Sequence, residues 1–98
     1  MHPKVKEIVD QLKAYNPKQI ILFGSYASGQ QKEYSDVDLV VIKTTDLPFL
    51  ERQKQIYMLL RTLTPVDIFV FTPEEFEKGK HNNLFLKEAA ESGKVIYG

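Results

Sequence analysis

The chain contains no cysteine. That excludes a disulfide framework, a thiolate zinc site and a cysteine nucleophile, and it is compatible with a reducing compartment. Charge of one sign is missing too. Thirteen Lys and Arg balance thirteen Asp and Glu, so no global field draws the chain to nucleic acid, and direct nucleic-acid binding is not expected. No apolar run approaches the ~18 residues of a membrane-spanning helix. The N-terminal Met1-His-Pro-Lys-Val-Lys lacks the apolar core of a secretory signal, so the expectation is a cytoplasmic protein with no membrane partner. There is no repeat, no low-complexity segment and no long linker. Ninety-eight residues suffice for one hydrophobic core and not for two, so residues 1–98 are expected to fold as a single domain.

What is present alternates between helix and strand signals. Pro3 suits a first helical turn, and Val5, Ile8, Val9 and Leu12 repeat as one buried stripe until Asn16-Pro17 stops the helix. Ile20–Phe23, Asp36–Ile42 and Val66–Phe71 are short, β-branched-rich runs that predict strands, and Lys94–Tyr97 predicts a short edge strand. A helical turn is expected over Ser25–Gln30, and a long helix over Phe49–Leu63 with a polar middle from Glu51 to Gln55. Thr72-Pro-Glu-Glu75 has the form of a capping box that opens a short helix closed near Gly79. A last helix is expected over Leu84–Ser92, with Gly93 as its left-handed terminator. This alternation predicts an α/β (α+β) fold, a small mixed β-sheet flanked by helices.

The chemistry concentrates between residues 20 and 42. The first strand ends in Gly24-Ser25, ten residues follow (Tyr26 to Ser35), and Asp36-Val37-Asp38 opens the next apolar run. Residues i and i+2 of a strand point the same way, so Asp36 and Asp38 converge while Val37 and Leu39 face the other way. Asp67 interrupts a later apolar strand and joins the same face if the two strands are neighbours. Clustered acids repel each other unless a cation compensates, and hard divalent cations take all-oxygen donors, so Mg²⁺ (or Mn²⁺) is the inferred partner. Gly24-Ser25, with free amides at a following helical turn, supplies an anion site. Taken singly, each feature also fits an acidic strand entry, an ordinary turn or a solvated edge. Their order and placement at strand ends together describe a metal–triphosphate site with two ions.

Competing motifs fail on residues. Gly24-x-x-x-x-Gly29 is followed by Gln30-Gln31, where a P-loop needs Lys-Ser/Thr. Asp36-x-Asp38 lacks the later glycine and glutamate of an EF-hand loop. His2 and His81 lie in a terminus and a loop and are expected to be exposed.

The set Leu22-Phe-Gly-Ser-Tyr-Ala-Ser-Gly29, Ser35-Asp-Val-Asp-Leu39 and Val66-Asp-Ile68 resembles the minimal nucleotidyltransferase domains of the DNA polymerase β-like superfamily, over about residues 5 to 97. The resemblance implies that fold, with Gly24 and Ser25 on the nucleotide phosphates and Asp36 and Asp38 on both metal ions. Asp67 would bind the catalytic ion and help to deprotonate the attacking hydroxyl. It implies transfer of NMP from an NTP such as ATP, with release of pyrophosphate. Many relatives carry arginine where Tyr26 or Ser28 stands here; Lys32 or Lys43 is the available substitute. Small members of this superfamily are commonly antitoxins of HEPN toxins, and some transfer AMP to a tyrosine of the partner. The kinship therefore implies a HEPN-type toxin as partner and acceptor. Neutralisation by contact alone and transfer to a small molecule are the alternatives.

Overall fold

Pro3 fixes a helical φ and the Nδ1 atom of His2 accepts from the Lys4 amide, so α1 (Pro3–Leu12) begins where the sequence predicts in the computed structural model, which describes residues 1–98. Its Val5, Ile8, Val9 and Leu12 are buried, as their spacing requires. A 3-10 turn (Lys13–Tyr15) and Asn16, with φ 55°, lead into β1 (Gln19–Phe23). The short α2 (Ser25–Ser28), β2 (Val37–Ile42), α3 (Phe49–Tyr57) and β3 (Val66–Phe71) follow. Then come α4 (Pro73–Gly79), α5 (Leu84–Ser92) and β4 (Lys94–Tyr97).

The strands form one mixed sheet in the order β3-β2-β1-β4. β1 pairs antiparallel with β2 and β4, and β2 pairs parallel with β3 across the α3 crossover. Alternation along the strands gives the sheet two buried faces. On one, Ile20, Leu22, Leu39, Val41, Ile68 and Val70 pack under α1. On the other, Ile21, Phe23, Val40 and Ile42 meet Leu86 and Ala89 of α5. The expected mixed α/β architecture is the one observed.

The crossover helix departs from expectation. It was predicted over Phe49–Leu63 but ends at Tyr57, and residues 61–64 return to β3 as an irregular segment. Gln11 of α1 holds that segment with two bonds, donating to the Arg61 carbonyl (3.1 Å) and accepting from its amide (2.8 Å). The polar middle of α3 is not its solvent face either. Gln53 donates to the Ile68 carbonyl (2.6 Å) and accepts from the Val70 amide (2.9 Å), and the Tyr57 hydroxyl accepts from the Ile68 amide (2.8 Å). Side chains thus take the place of a fifth strand along the outer edge of β3. Beside them Arg52, only 6% exposed, forms a two-pronged pair with Glu75, at 2.6 and 3.2 Å. Glu75 in turn completes the capping box with Thr72, the box that the sequence predicts.

Gly93 is not left-handed. Its φ of −73° and ψ of 160° are extended, so α5 passes straight into β4. Glycine is required there by space, because a Cβ would overlap the Ala89 carbonyl and the Ile21 side chain.

Candidate active site

The site lies on the α5 face, at the end of the sheet where β1 finishes and β2 and β3 begin. Register places Phe23, Asp38 and Asp67 in one row across the three strands, since Phe23 pairs with Asp38 and Asp38 with Asp67. Parallel neighbours stand about 4.8 Å apart, so the two carboxylates share one patch. Asp36 falls one residue before β2 rather than inside the expected strand, and it is exposed. The Val37 amide donates to the Pro65 carbonyl (2.9 Å), which locks the entries of β2 and β3 together.

Gly24 explains itself by conformation and by contact. Its φ of 72° and ψ of −154° belong to a region open essentially to glycine alone. A Cβ would also overlap the Asp38 carboxylate, which fills the space that glycine leaves. The chain then turns into α2. The Gly24 carbonyl accepts from Ala27 and Ser28, and the first-turn amides of Ser25 and Tyr26 have no intrahelical acceptor. Ser25 lines a cavity of about 390 Å³ between α2 and α5.

The carboxylates are uncompensated. None of Asp36, Asp38 and Asp67 is among the ion pairs of the protein. Partial burial, then the charge of Asp67 and that of Asp36, push the Asp38 carboxyl up from 3.8 to about 6, and Glu88 adds to the effect. The donor set, all oxygen and in no ion pair, fits a hard divalent ion. It is not a preassembled cage, because no three acid or imidazole side chains already converge on one point. Asp38 and Asp67 are in register, whereas Asp36, exposed like Asp67, precedes β2 and lies outside that register.

Glu88 is the acidic residue that the sequence reading missed. Phe85, one turn earlier on α5, packs edge-on against Phe23 (4.9 Å) and Phe69 (5.0 Å), on either side of the Asp38 column. That wedge seats α5 over the site and turns Glu88 into the cavity beside Gly24 and Ser25. The available signal was the three-residue spacing from Phe85 to Glu88 on a single helix face.

The proposed substitutes for the missing arginines divide. Lys43 is ruled out: it stands at the far end of β2, donating to the Tyr15 carbonyl (2.5 Å) and lying 4.7 Å over the Tyr15 ring. Lys32 sits in the loop before Asp36, with its amide bonded to the Ser35 hydroxyl (2.8 Å). Tyr26 is buried on the opposite face of the sheet, edge-on to His2 at 5.1 Å. Ser28 remains on the cavity wall. His2 and His81 are exposed, as expected. No helix is long and apolar enough to cross a membrane.

Comparison with known proteins agrees with this geometry. The family model described as nucleotidyltransferase domain matches residues 2–97. A candidate protein adenylyltransferase of Methanocaldococcus jannaschii is 34% identical over 96 residues, which cover 95% of this chain and 94% of that protein. A second candidate protein adenylyltransferase of the same organism is 46% identical over 43 residues, 39% of this chain and 50% of that protein. Among solved structures, a candidate nucleotidyltransferase from Sulfolobus solfataricus superposes with a TM-score of 0.65 at 20% identity, covering 94% of this chain and 75% of that one. A toxin–antitoxin structure with AMP-PNP superposes with a TM-score of 0.62 at 26% identity, covering 95% of this chain and 72% of that one.

Proposed function

Because the chain belongs to the nucleotidyltransferase domain family, we propose that it is an adenylyltransferase that moves AMP from ATP to a hydroxyl of a partner protein, a HEPN-type toxin, and so acts as its antitoxin. The observation that carries this reading is the row of Asp38 and Asp67 against Gly24, carboxylates in no ion pair beside a cavity of about 390 Å³. A protein adenylyltransferase description for the 34% identical relative, and a toxin–antitoxin structure with a bound ATP analogue at 26% identity, support the acceptor class.

Asp36, Asp38 and Asp67 are the residues that would hold Mg²⁺, two ions when all three engage. Bound there, the metal neutralises the triphosphate and lowers the pKa of an oxygen that it touches. Gly24 lets the polyphosphate approach the backbone, and the Ser25 hydroxyl and first-turn amides orient it. Asp67, exposed at the entry of β3, accepts the proton of the acceptor hydroxyl as that oxygen attacks the α-phosphorus. The bond to the β-phosphate oxygen breaks and pyrophosphate leaves with the electron pair. Rigid strand ends supply the alignment that an in-line displacement needs.

The test uses α-labelled ATP, Mg²⁺ and the protein encoded beside this chain, with wild type compared to Asp36→Asn and Asp38→Asn. Label should appear on the neighbouring protein with wild type only. Absence of transfer, or equal transfer by all three, overturns the proposal. One observation favours a second reading, neutralisation by contact: Leu50, Met58 and Leu63, on α3 and just after it, are 70%, 83% and 104% exposed. An Asp36→Asn/Asp38→Asn double variant that binds the toxin and still neutralises it would establish that reading instead.

A further inference from the structure

The cavity between α2 and α5 is walled by Ser25, Ser28, Gln30 and Ser92, with Gly24 at its inner end and Glu88 facing it; no lysine or arginine lines it. In a pocket read as the seat of terminal phosphates this is an inverted charge. Phosphate sites built by proteins place cations or bare amides around the anion, whereas here the one charged wall residue is a carboxylate. Glu88 is not held by a counter-ion of its own, since it takes part in none of the ion pairs. It sits on α5, a nine-residue helix whose backbone is seated by the Phe85 wedge and by buried Leu86 and Ala89, so its side chain starts from the cavity wall.

We infer that Glu88 is a specificity residue that admits metal-chelated triphosphate and turns away free polyphosphate and free phosphate. The inference rests on the nucleotide reading above and adds to it a selection rule. A divalent cation cancels half the charge of a triphosphate, so repulsion from Glu88 falls by about half on chelation. Ser25, Ser28, Ser92 and Gln30 offer neutral hydrogen bonds that suit such a chelate and do not compensate a bare polyanion. The absence of arginine at Ser28 belongs to the same design, because an arginine there would line the cavity and cancel Glu88. Glu88 therefore makes the acidic patch and the phosphate pocket fill together.

The experiment is calorimetric titration of the full chain with ATP, once in EDTA and once with excess Mg²⁺, for wild type, Glu88→Gln, Glu88→Lys and the control Glu91→Gln, whose residue lies on α5 outside the cavity wall. Glutamine keeps the shape and removes the charge at an exposed position, and a thermal melt confirms folding. Metal-free ATP should bind about fivefold to tenfold tighter to Glu88→Gln than to wild type, and tighter still to Glu88→Lys, with Mg–ATP affinity raised only about twofold to threefold by Glu88→Gln. Glu91→Gln should match wild type. An unchanged ratio of metal-free to Mg–ATP affinity in both Glu88 variants overturns the inference while leaving the transferase reading intact. A parallel loss of Mg–ATP binding in Glu88→Gln also overturns it, because Glu88 would then be a ligand. Wild type that binds no Mg–ATP overturns the nucleotide reading itself, and this inference falls with it.

Discussion

The two faces of the sheet are built alike and used differently. Under α1, fifteen buried residues close into one continuous apolar cluster that includes Ile8, Leu12, Leu39 and Val70. Under α5 only six buried residues do the same work, and the row that would extend them is occupied by Asp38 and Asp67. The first face holds the sheet together; the second gives up its last row of packing to chemistry. Phe85, packed on Phe23 and Phe69, marks the border between core and site. Activity and stability should therefore respond to substitution on opposite faces.

Asp38→Asn gives the sharpest break. Transfer of labelled AMP should fall on the order of 10³-fold or more, while the thermal midpoint of the metal-free protein stays level or rises, because a repelled carboxylate is gone. Its neighbour Leu39 points to the other face and is fully buried. Leu39→Ala should cost about 2–5 kcal/mol in urea unfolding and leave the rate of the folded fraction near wild type. If Asp38→Asn proved as destabilising as Leu39→Ala, the division between the faces would be wrong.

A smaller effect is expected at the sheet edge. Gln53→Ala removes both bonds to β3 and leaves the Ile68 carbonyl and Val70 amide without partners, at a cost of about 1–3 kcal/mol by chemical unfolding.

The smallest effect is a slope. The folded Asp38 carboxyl titrates at about 6 against its ordinary 3.8, so the folded state holds the extra proton between those values. Stability of the metal-free protein should fall as pH rises from about 4 to 6, by on the order of 1 kcal/mol once solvent screening at a half-exposed group is allowed for. Asp10 and Glu75, both held below the ordinary carboxylate range by Lys6 and by Arg52 respectively, slope the other way. The difference between wild type and Asp38→Asn isolates the Asp38 contribution. Saturating Mg²⁺ should reverse its sign, because a cation beside Asp38 holds the carboxyl ionised in the folded state.

The face of Asp38 was legible because strand geometry is local, and the apolar run straight after it fixes which side is buried; Asp36 was read into the same strand but falls just before it. β3 was legible to the residue, Val66–Phe71, because Thr64-Pro65 and Thr72-Pro73 punctuate both ends. The packing role of α3 was not, since Arg52 and Gln53 face the backbone of an edge strand and so look, in sequence, like a solvated stripe. Its early end was set by Gln11, which lies fifty residues away along the chain. Glu88 stayed hidden for a similar reason. A glutamate on an amphipathic helix reads as surface until the fold shows which carboxylates lie beneath it.

The side chains that cover β3 have a consequence for assembly. Gln53 and Tyr57 occupy the hydrogen-bonding groups of that edge, while β4, paired only with β1, leaves its outer edge open. A sheet stoppered at one end and open at the other has a strand-pairing valency of one. Edge-to-edge growth through it closes after two sheets and cannot continue into a filament.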